Sequence, residues 1–441
     1  MGSTDFLLFP VYVLLFYLFF ARQRKKFKDP TLKFYHKYAF WVKILGSFAI
    51  TIFYSYLSLG DSTTLYYTEG NQLYHHILND VDNIYWLFKS GVDYPTNLIK
   101  LEANRGYFKS DSNFIIIKFV ALFSLVSFGR YMIINLFFSM LAFTGIWRLF
   151  LFFYQTYPAL HKKLALAILF LPTVVFWSSG ALKDPICMGM LGWFTYASYN
   201  LLFKRKAFLF NIIIIIASAL ILLTVKSYIL FSYVPFFILY LVNINLNLLN
   251  NYFLKFASFI IIAALSVAGF IAMADKLEEE MGMMALDKLT ESVQTQQKNF
   301  EGMADRAESS FSLGVEFDGS LGSLISIAPA AINATLFRPY LWESKKISTL
   351  LSSLESLSLM IFFIYVLFKV GIFKFFGTVL KDPMVMFCFF FSVLFALFVG
   401  ATTLNFGTLV RYKIPCMPFF LIALMLIYEK RPKKIQPSQA E

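Results

Sequence analysis

Acidic side chains follow an early apolar run of this sequence at a spacing that suits proton transfer. Asp61 ends that run, directly after Gly60, and Glu69 lies further along the same polar stretch. If residues 61–78 are helical, the two carboxylates lie about two turns apart on one helix face. A carboxylate in that position can accept a proton from a hydroxyl group and act as a general base. Asp61 and Glu69 are therefore the candidate catalytic residues.

Isolated cations occur in four later turns that the charge pattern assigns to the same side of a membrane as Asp61. Arginine and lysine bind phosphate or pyrophosphate and stabilise a leaving oxyanion. Aromatic rings such as Tyr66 can stack against sugar faces. We expect the substrate-binding residues to be Lys183, Asp184, Arg338, Arg411, Lys413 and Tyr66.

Several of the candidate residues, and one further lysine, also have an interpretation that involves no chemistry. Lys226, in another turn on that side, is interpreted as a lysine that extends its stem through apolar surroundings to the interface. The alternatives for the candidates are a helix cap or solvated acid at Asp61, a solvated surface position for Glu69, a local Lys183–Asp184 ion pair, and anchoring of Arg338 and Arg411 to lipid phosphates.

No metal site or other cofactor is expected. His75 and His76 lie near Asp80 and Asp82, but adjacent histidines point to different helix faces, and the sequence there has no HxxxH or HxH spacing. A divalent cation is conceivable for phosphate chemistry, but this ligand spacing does not support one. The cysteines, Cys187, Cys388 and Cys416, lie in or beside apolar runs and form no metal-binding or disulfide pattern.

The composition excludes an ordinary soluble enzyme. Of 441 residues, 59% are hydrophobic and 15% are charged, and the mean hydropathy is +0.66. The net charge of +13 does not indicate nucleic-acid binding, because the basic residues form short clusters between apolar runs. Such clusters are typical of cytoplasmic loops of membrane proteins. The prediction is an all-α polytopic membrane protein with no nucleic-acid partner.

The apolar runs predict about eleven transmembrane helices in a single integral membrane domain over residues 1–441. The N-terminus is expected outside and the C-terminus in the cytoplasm. Residues 60–130 form a first outer loop with an interfacial helix at 114–128, and residues 274–349 form a second with a polar helix at 276–310 and an interfacial helix at 324–337. The predicted spans are 6–21, 39–59, 131–153, 164–180, 186–203, 207–224, 228–242, 252–273, 350–369, 384–403 and 412–428.

Three stretches carry a resemblance to known membrane proteins. The pattern at Gly60, Asp61, Ser62, Tyr66, Gly70 and Leu73 resembles the first outer loop of membrane glycosyltransferases of the C-type (GT-C) fold. Residues 171–184 and 407–415 look like bacterial membrane proteins of surface-polysaccharide loci. The resemblance implies a GT-C-like fold in which an acid outside an early helix, here Asp61, is the catalytic base.

The sequence also departs from that family. An additional span at 6–21 precedes the acidic loop, and Asp61 is followed by Ser62 where a second acid is common. The second acid would be Glu69 or Asp184. O-antigen polymerases are functionally related and use outer-face arginines without an obligatory acidic base, a pattern that Arg338 and Arg411 would fit.

The expected function is transfer of a glycosyl unit from a polyprenyl-phosphate or polyprenyl-pyrophosphate donor to an acceptor, at the periplasmic face of a bacterial inner membrane, in surface-polysaccharide assembly. The expected partners are that lipid-linked sugar and membrane lipids. The alternatives are an arginine-dependent polysaccharide polymerase, a transporter of lipid-linked sugars and a non-enzymatic envelope scaffold. The sequence leaves open the sugar, the linkage, the acceptor, protein partners and the oligomeric state.

Overall fold

The fold is a bundle of helices. The computed structural model describes residues 3–431 apart from 59, 106–109, 206, 247–260, 262–310, 312, 314–320, 345–346 and 404. Its first helices are α1 (Ser3–Lys25), α2 (Pro30–Ile52), α3 (Thr68–Asn79), α4 (Asp111–Ser127), α5 (Tyr131–Thr156), α6 (His161–Leu169), α7 (Pro172–Trp177), α8 (Lys183–Tyr199) and α9 (Phe208–Leu246). The later ones are α10 (Leu321–Phe337), α11 (Ile347–Val370), α12 (Ile372–Lys381), α13 (Pro383–Thr402), α14 (Phe406–Tyr412) and α15 (Met417–Glu429).

Several of these helices are long and apolar enough to cross a membrane. Six meet that criterion among the described residues, and α14 with α15 adds a seventh if this pair, bent by 63°, is one span. The chain is therefore a multi-pass helical membrane protein. The predicted span at 252–273 and the predicted polar helix at 276–310 lie outside the described residues, with residue 261 the one exception.

Close helix packing in the centre of the bundle depends on glycine. A Cβ on Gly145 of α5 would lie 1.8 Å from the backbone oxygen of Gly189 in α8, and one on Gly192 would lie 1.9 Å from the oxygen of Gly145. Small residues allow such backbone contact between membrane helices. The α5–α8 pair therefore forms a fixed centre against which α2 and α9 pack.

Helix α9 contains a reversal of the chain. Lys226 has non-helical backbone angles, φ −154° and ψ 82°. Lys226 contacts Asp184 at the start of α8, and Tyr233 hydrogen-bonds Thr195, later in α8, at 2.6 Å. The second half of α9 thus runs alongside α8 in the same direction, whereas the first half returns from the far end of α8. The turn falls between the predicted segments 207–224 and 228–242.

Two predicted segments differ from the observed helices. The predicted span 164–180 is broken into α6 and α7, because Pro172 begins a new helix there. The stretch 324–337, predicted to lie at the interface, forms most of α10 and packs into the bundle, where Thr335 Oγ1 donates to the Ala396 oxygen of α13 at 2.8 Å. Small residues, including the fully buried Ala331 and Ala334, make that packing possible.

The bundle has two distinguishable ends. We call the end that holds Asp61 and Asp184 the site end. The opposite end holds ion pairs between Lys163 and Glu429 and between Lys430 and Asp382.

Candidate functional site

Four charged side chains from four parts of the chain meet at the site end. Asp184 accepts from Lys226 Nζ at 2.6 Å and from Arg411 Nε at 3.3 Å. Arg411 Nη1 in turn donates to Asp61 Oδ2 at 3.3 Å. We call Asp61, Asp184, Lys226 and Arg411 the charge network. The guanidinium of Arg411 connects the two carboxylates through different nitrogen atoms.

Helix interruptions place every member of the network. Asp61 lies between two wide-turn π-helical segments, Phe53–Leu57 and Ser62–Tyr67. Asp184 is in the first turn of α8, Lys226 is the non-helical residue of α9, and Arg411 is in the last turn of α14 before the bend. Interrupted helices expose polar groups inside membrane proteins, and they often mark binding sites.

Accessibility separates the two carboxylates of the network. The Asp61 side chain is 50% exposed, whereas those of Asp184 and Arg411 are 1% and 10% exposed. Asp61 is therefore the carboxylate that a substrate can reach. Asp184 lies beneath it and holds both cations in place.

Lys226 is not an interfacial lysine, and its predicted role is wrong. It is buried, pairs with Asp184, and lies 3.9 Å from the ring centroid of Tyr412. Desolvation of an ammonium is costly unless a counter-ion is close. The reversal of α9 brings Lys226 against Asp184, and this proximity could not be foreseen from the local sequence.

Glu69 holds the outer loop together. Its carboxylate accepts from the backbone nitrogens of Lys100 and Leu101 at 3.0 and 3.1 Å and from Asn104 Nδ2 at 2.7 Å. The residue is 2% exposed. The structure does not bring Glu69 into the charge network, and its contacts are those of a loop anchor.

Tyr66 and Lys183 lie at the same end of the bundle, and each donates a hydrogen bond to an uncharged side chain. Tyr66 Oη donates to Asn113 Oδ1 at 3.0 Å, and Lys183 Nζ donates to Ser112 Oγ at 2.7 Å. Burial raises the pKa of Tyr66 well above its ordinary value. The phenol is therefore protonated at neutral pH and serves as a hydrogen-bond donor.

Arg338 and Lys413 form a neighbouring cluster. Lys413 Nζ donates to the Arg338 carbonyl oxygen at 2.9 Å and to Ser356 Oγ at 2.8 Å. The Arg338 guanidinium pairs with Glu343, with Nε 3.0 Å from Oε1, and lies 4.4 Å from the ring centroid of Phe311. Through these hydrogen bonds Lys413 connects the cluster to the bend between α14 and α15, which follows Arg411.

The sequence patterns did not indicate a role for two charged residues of apolar spans, the buried Lys43 and the half-buried Glu355. Lys43, in the middle of α2, donates to Ser178 Oγ at 2.9 Å and to Ser179 Oγ at 2.6 Å. Glu355, in α11, accepts from the backbone nitrogen of Thr173 at 2.9 Å. Both side chains hold the interrupted segment around α7, which leads into Asp184. The available signal was a lone charge inside an apolar span.

Neither a metal-ligand cluster nor a similar known protein identifies the function of this site. Within the described part of the chain, no three His, Cys, Asp or Glu side chains are grouped so that they could hold a metal ion. No family model, curated protein or solved structure matches the chain.

Proposed function

We propose that this protein is a membrane glycosyltransferase that acts on a sugar carried by a polyprenyl phosphate or pyrophosphate. The observation that carries the proposal is the contact between Arg411 and the half-exposed Asp61 above the buried Asp184. A general base beside a fixed guanidinium suits a reaction that removes a proton from an acceptor and places negative charge on a leaving phosphate.

The reaction assigns a separate role to each group. Asp61 takes the proton of an acceptor hydroxyl while that oxygen forms a bond to the anomeric carbon. The bond from this carbon to the phosphate oxygen breaks, and the electron pair leaves with the phosphate. Arg411 stabilises the resulting oxyanion, and Lys183 supplies a second positive charge at the same end of the bundle. Asp184 and Lys226 keep Arg411 in position.

The proposal includes a cellular arrangement. The site end faces the periplasm, the N-terminus is outside, and the chain crosses a bacterial inner membrane about eleven times in a GT-C-like arrangement. The lipid tail of the donor then lies in the bilayer while its phosphate reaches the site end. The product contributes to a surface polysaccharide.

The test is product formation by purified protein in nanodiscs, with polyprenyl-linked sugars as donors. Asp61→Asn keeps the side-chain shape and removes basicity. We expect it to fold and bind donor but to lose about 10²–10⁴-fold in rate. The matched control is Asp82→Asn, which changes an exposed acid of the same outer loop and should retain wild-type activity.

The outcome for Asp61→Asn decides between two enzymes. A rate within about threefold of wild type, far from the loss expected for a missing base, removes Asp61 as base and favours an arginine-dependent polymerase. Loss of product together with loss of donor binding contradicts the division of roles between Asp61 and Arg411.

A transporter of lipid-linked sugars is the second candidate. Lys43 and Lys413 are buried charges, and the half-buried Glu355 bonds the interrupted segment at Thr173. Broken helices with buried charges are features of transporters. Liposomes that contain the protein and a fluorescent lipid-linked sugar distinguish the two. Translocation without a change in the sugar supports the transporter, and a new glycosidic product supports the enzyme.

A further inference from the structure

The opposite end of the bundle carries a short helix with three distinct faces. Helix α12 is separated from α11 and from α13 by a single residue each, Gly371 and Asp382. Because both neighbours are candidate spans, α12 connects two helices that are able to cross a membrane, at the end of the bundle opposite the site end. Gly371 has φ +82°, a left-handed conformation that glycine adopts without strain, and this residue allows the chain to change direction between α11 and α12.

One face of α12 packs against the bundle. Phe375 and Val379, one helical turn apart, are fully buried. A second, adjacent face is apolar and is not covered by the described part of the chain. It consists of Ile372, Phe373, Phe376 and Leu380, and Phe373 is 92% exposed.

The third face of α12 is polar and basic. Lys374 and Lys381 lie on it with Thr378 between them, and both lysines are exposed. Between Glu355 and Glu429 the sequence contains a single acid, Asp382. The two lysines make this face of α12 basic, and an apolar face lies directly beside it.

We propose that α12 is a binding site for anionic phospholipid. The exposed apolar face enters the acyl-chain boundary, and Lys374 and Lys381 contact the phosphate groups of the same leaflet. Helices with these two adjacent faces lie in the membrane interface and prefer anionic lipids. Phe368, near the end of α11, is a further exposed apolar side chain close to α12 in the sequence. This site is independent of the proposed glycosyl transfer, since it lies at the other end of the bundle.

The test is retention of phosphatidylglycerol by protein released from nanodiscs that contain phosphatidylcholine and phosphatidylglycerol, measured by native mass spectrometry. Wild type should retain phosphatidylglycerol above its share in the nanodisc. The double variant Lys374→Gln/Lys381→Gln should reduce that enrichment by on the order of tenfold, since each basic residue near an anionic surface contributes substantially. Lys33→Gln/Lys37→Gln is the control, because it removes the same charge from exposed positions on α2.

Three results overturn the proposal. Equal loss of enrichment in both double variants indicates general charge attraction without a site on α12. No enrichment in wild type excludes preference for the anionic lipid. A dimer in the same spectra that disappears in Phe373→Gln, while lipid retention is unchanged, identifies a second copy of the chain as the occupant of the apolar face.

Discussion

Arg411 and Asp184 are 227 positions apart in the chain, yet Arg411 Nε lies 3.3 Å from Asp184 Oδ2 inside the bundle. The same guanidinium reaches Asp61 through Nη1. A buried carboxylate thus fixes one edge of the arginine while the other edge faces the exposed acid. This arrangement makes Arg411 the group on which the geometry of the proposed site depends most.

Arg411→Lys should therefore be damaging. A lysine ammonium cannot span two carboxylates through separate nitrogens of a planar group. We expect the variant to express and to lose on the order of 10²-fold in rate, as for removal of one oxyanion donor, with Arg411→Ala at least as impaired. Arg105→Lys, which alters an exposed ion pair with Glu102, is the control. Normal product formation by Arg411→Lys would show that the guanidinium shape is dispensable.

Lys226→Met should destabilise the protein. The substitution leaves Asp184 buried with one cation fewer, and removal of one partner from a buried pair costs about 3–5 kcal/mol. The matched control is Lys163→Met, whose pair with Glu429 is partly exposed and should contribute about 0–1 kcal/mol. Denaturation in detergent, followed by circular dichroism, measures both. Equal stability of the two variants would contradict the structural importance of the Lys226–Asp184 pair.

Glu69→Gln should loosen the outer loop without removing a catalytic base. Glutamine keeps one acceptor oxygen and presents an amide donor where the second oxygen accepted a hydrogen bond, which costs about 1.5–3 kcal/mol for a charged acceptor. Trypsin should then cleave faster at Lys100 and Arg105. Glu102→Gln, at an exposed position, is the control. Unchanged proteolysis with loss of product would instead assign Glu69 a direct chemical role.

The sequence predicted that the site residues lie at one end of the bundle, but it did not predict the individual contacts that they make. Asp61, Asp184 and Arg411 were expected on one side because each follows or precedes an apolar run on that side, and the structure brings these three together. The partner of Lys226 could not be predicted, since it depends on the reversal of α9. The contacts of Glu69 depend on an irregular loop that has no periodic pattern.

The helix boundaries were also predicted poorly, because they depend on contacts between residues far apart in the sequence. Hydropathy reports whether a stretch is apolar, and it does not report whether the helix continues through that stretch. The interruption before Asp184 is stabilised by two side chains that are far away in the sequence: Lys43 donates to the Ser178 carbonyl oxygen, and Glu355 accepts from the Thr173 backbone nitrogen. Such long-range hydrogen bonds compensate the backbone groups that a broken helix leaves free.

Gly145→Ala should destabilise the centre of the bundle. The added methyl group would overlap the Gly189 oxygen, so α5 and α8 would have to separate at a cost of about 1–3 kcal/mol or more. Gly377→Ala provides a contrasting control, because among the described residues no atom lies within 4 Å of its added Cβ. Alanine is favoured over glycine inside a helix by about 0.5–1 kcal/mol, so this variant should be as stable as wild type or more so. Detergent denaturation of both variants provides the comparison, and equal destabilisation would contradict the packing argument.

Cysteine labelling tests which side of the membrane the site end faces. Thr64 is exposed beside Asp61, whereas Lys33 and Lys374 are exposed at the opposite end. The three native cysteines are buried and should react little with an impermeant maleimide. On intact cells Thr64→Cys should react, and Lys33→Cys and Lys374→Cys should react only after permeabilisation, because the basic clusters favour a cytoplasmic location for that end. The reverse pattern would place Asp61 and Arg411 in the cytoplasm, and a donor presented at the periplasmic face could then not reach them.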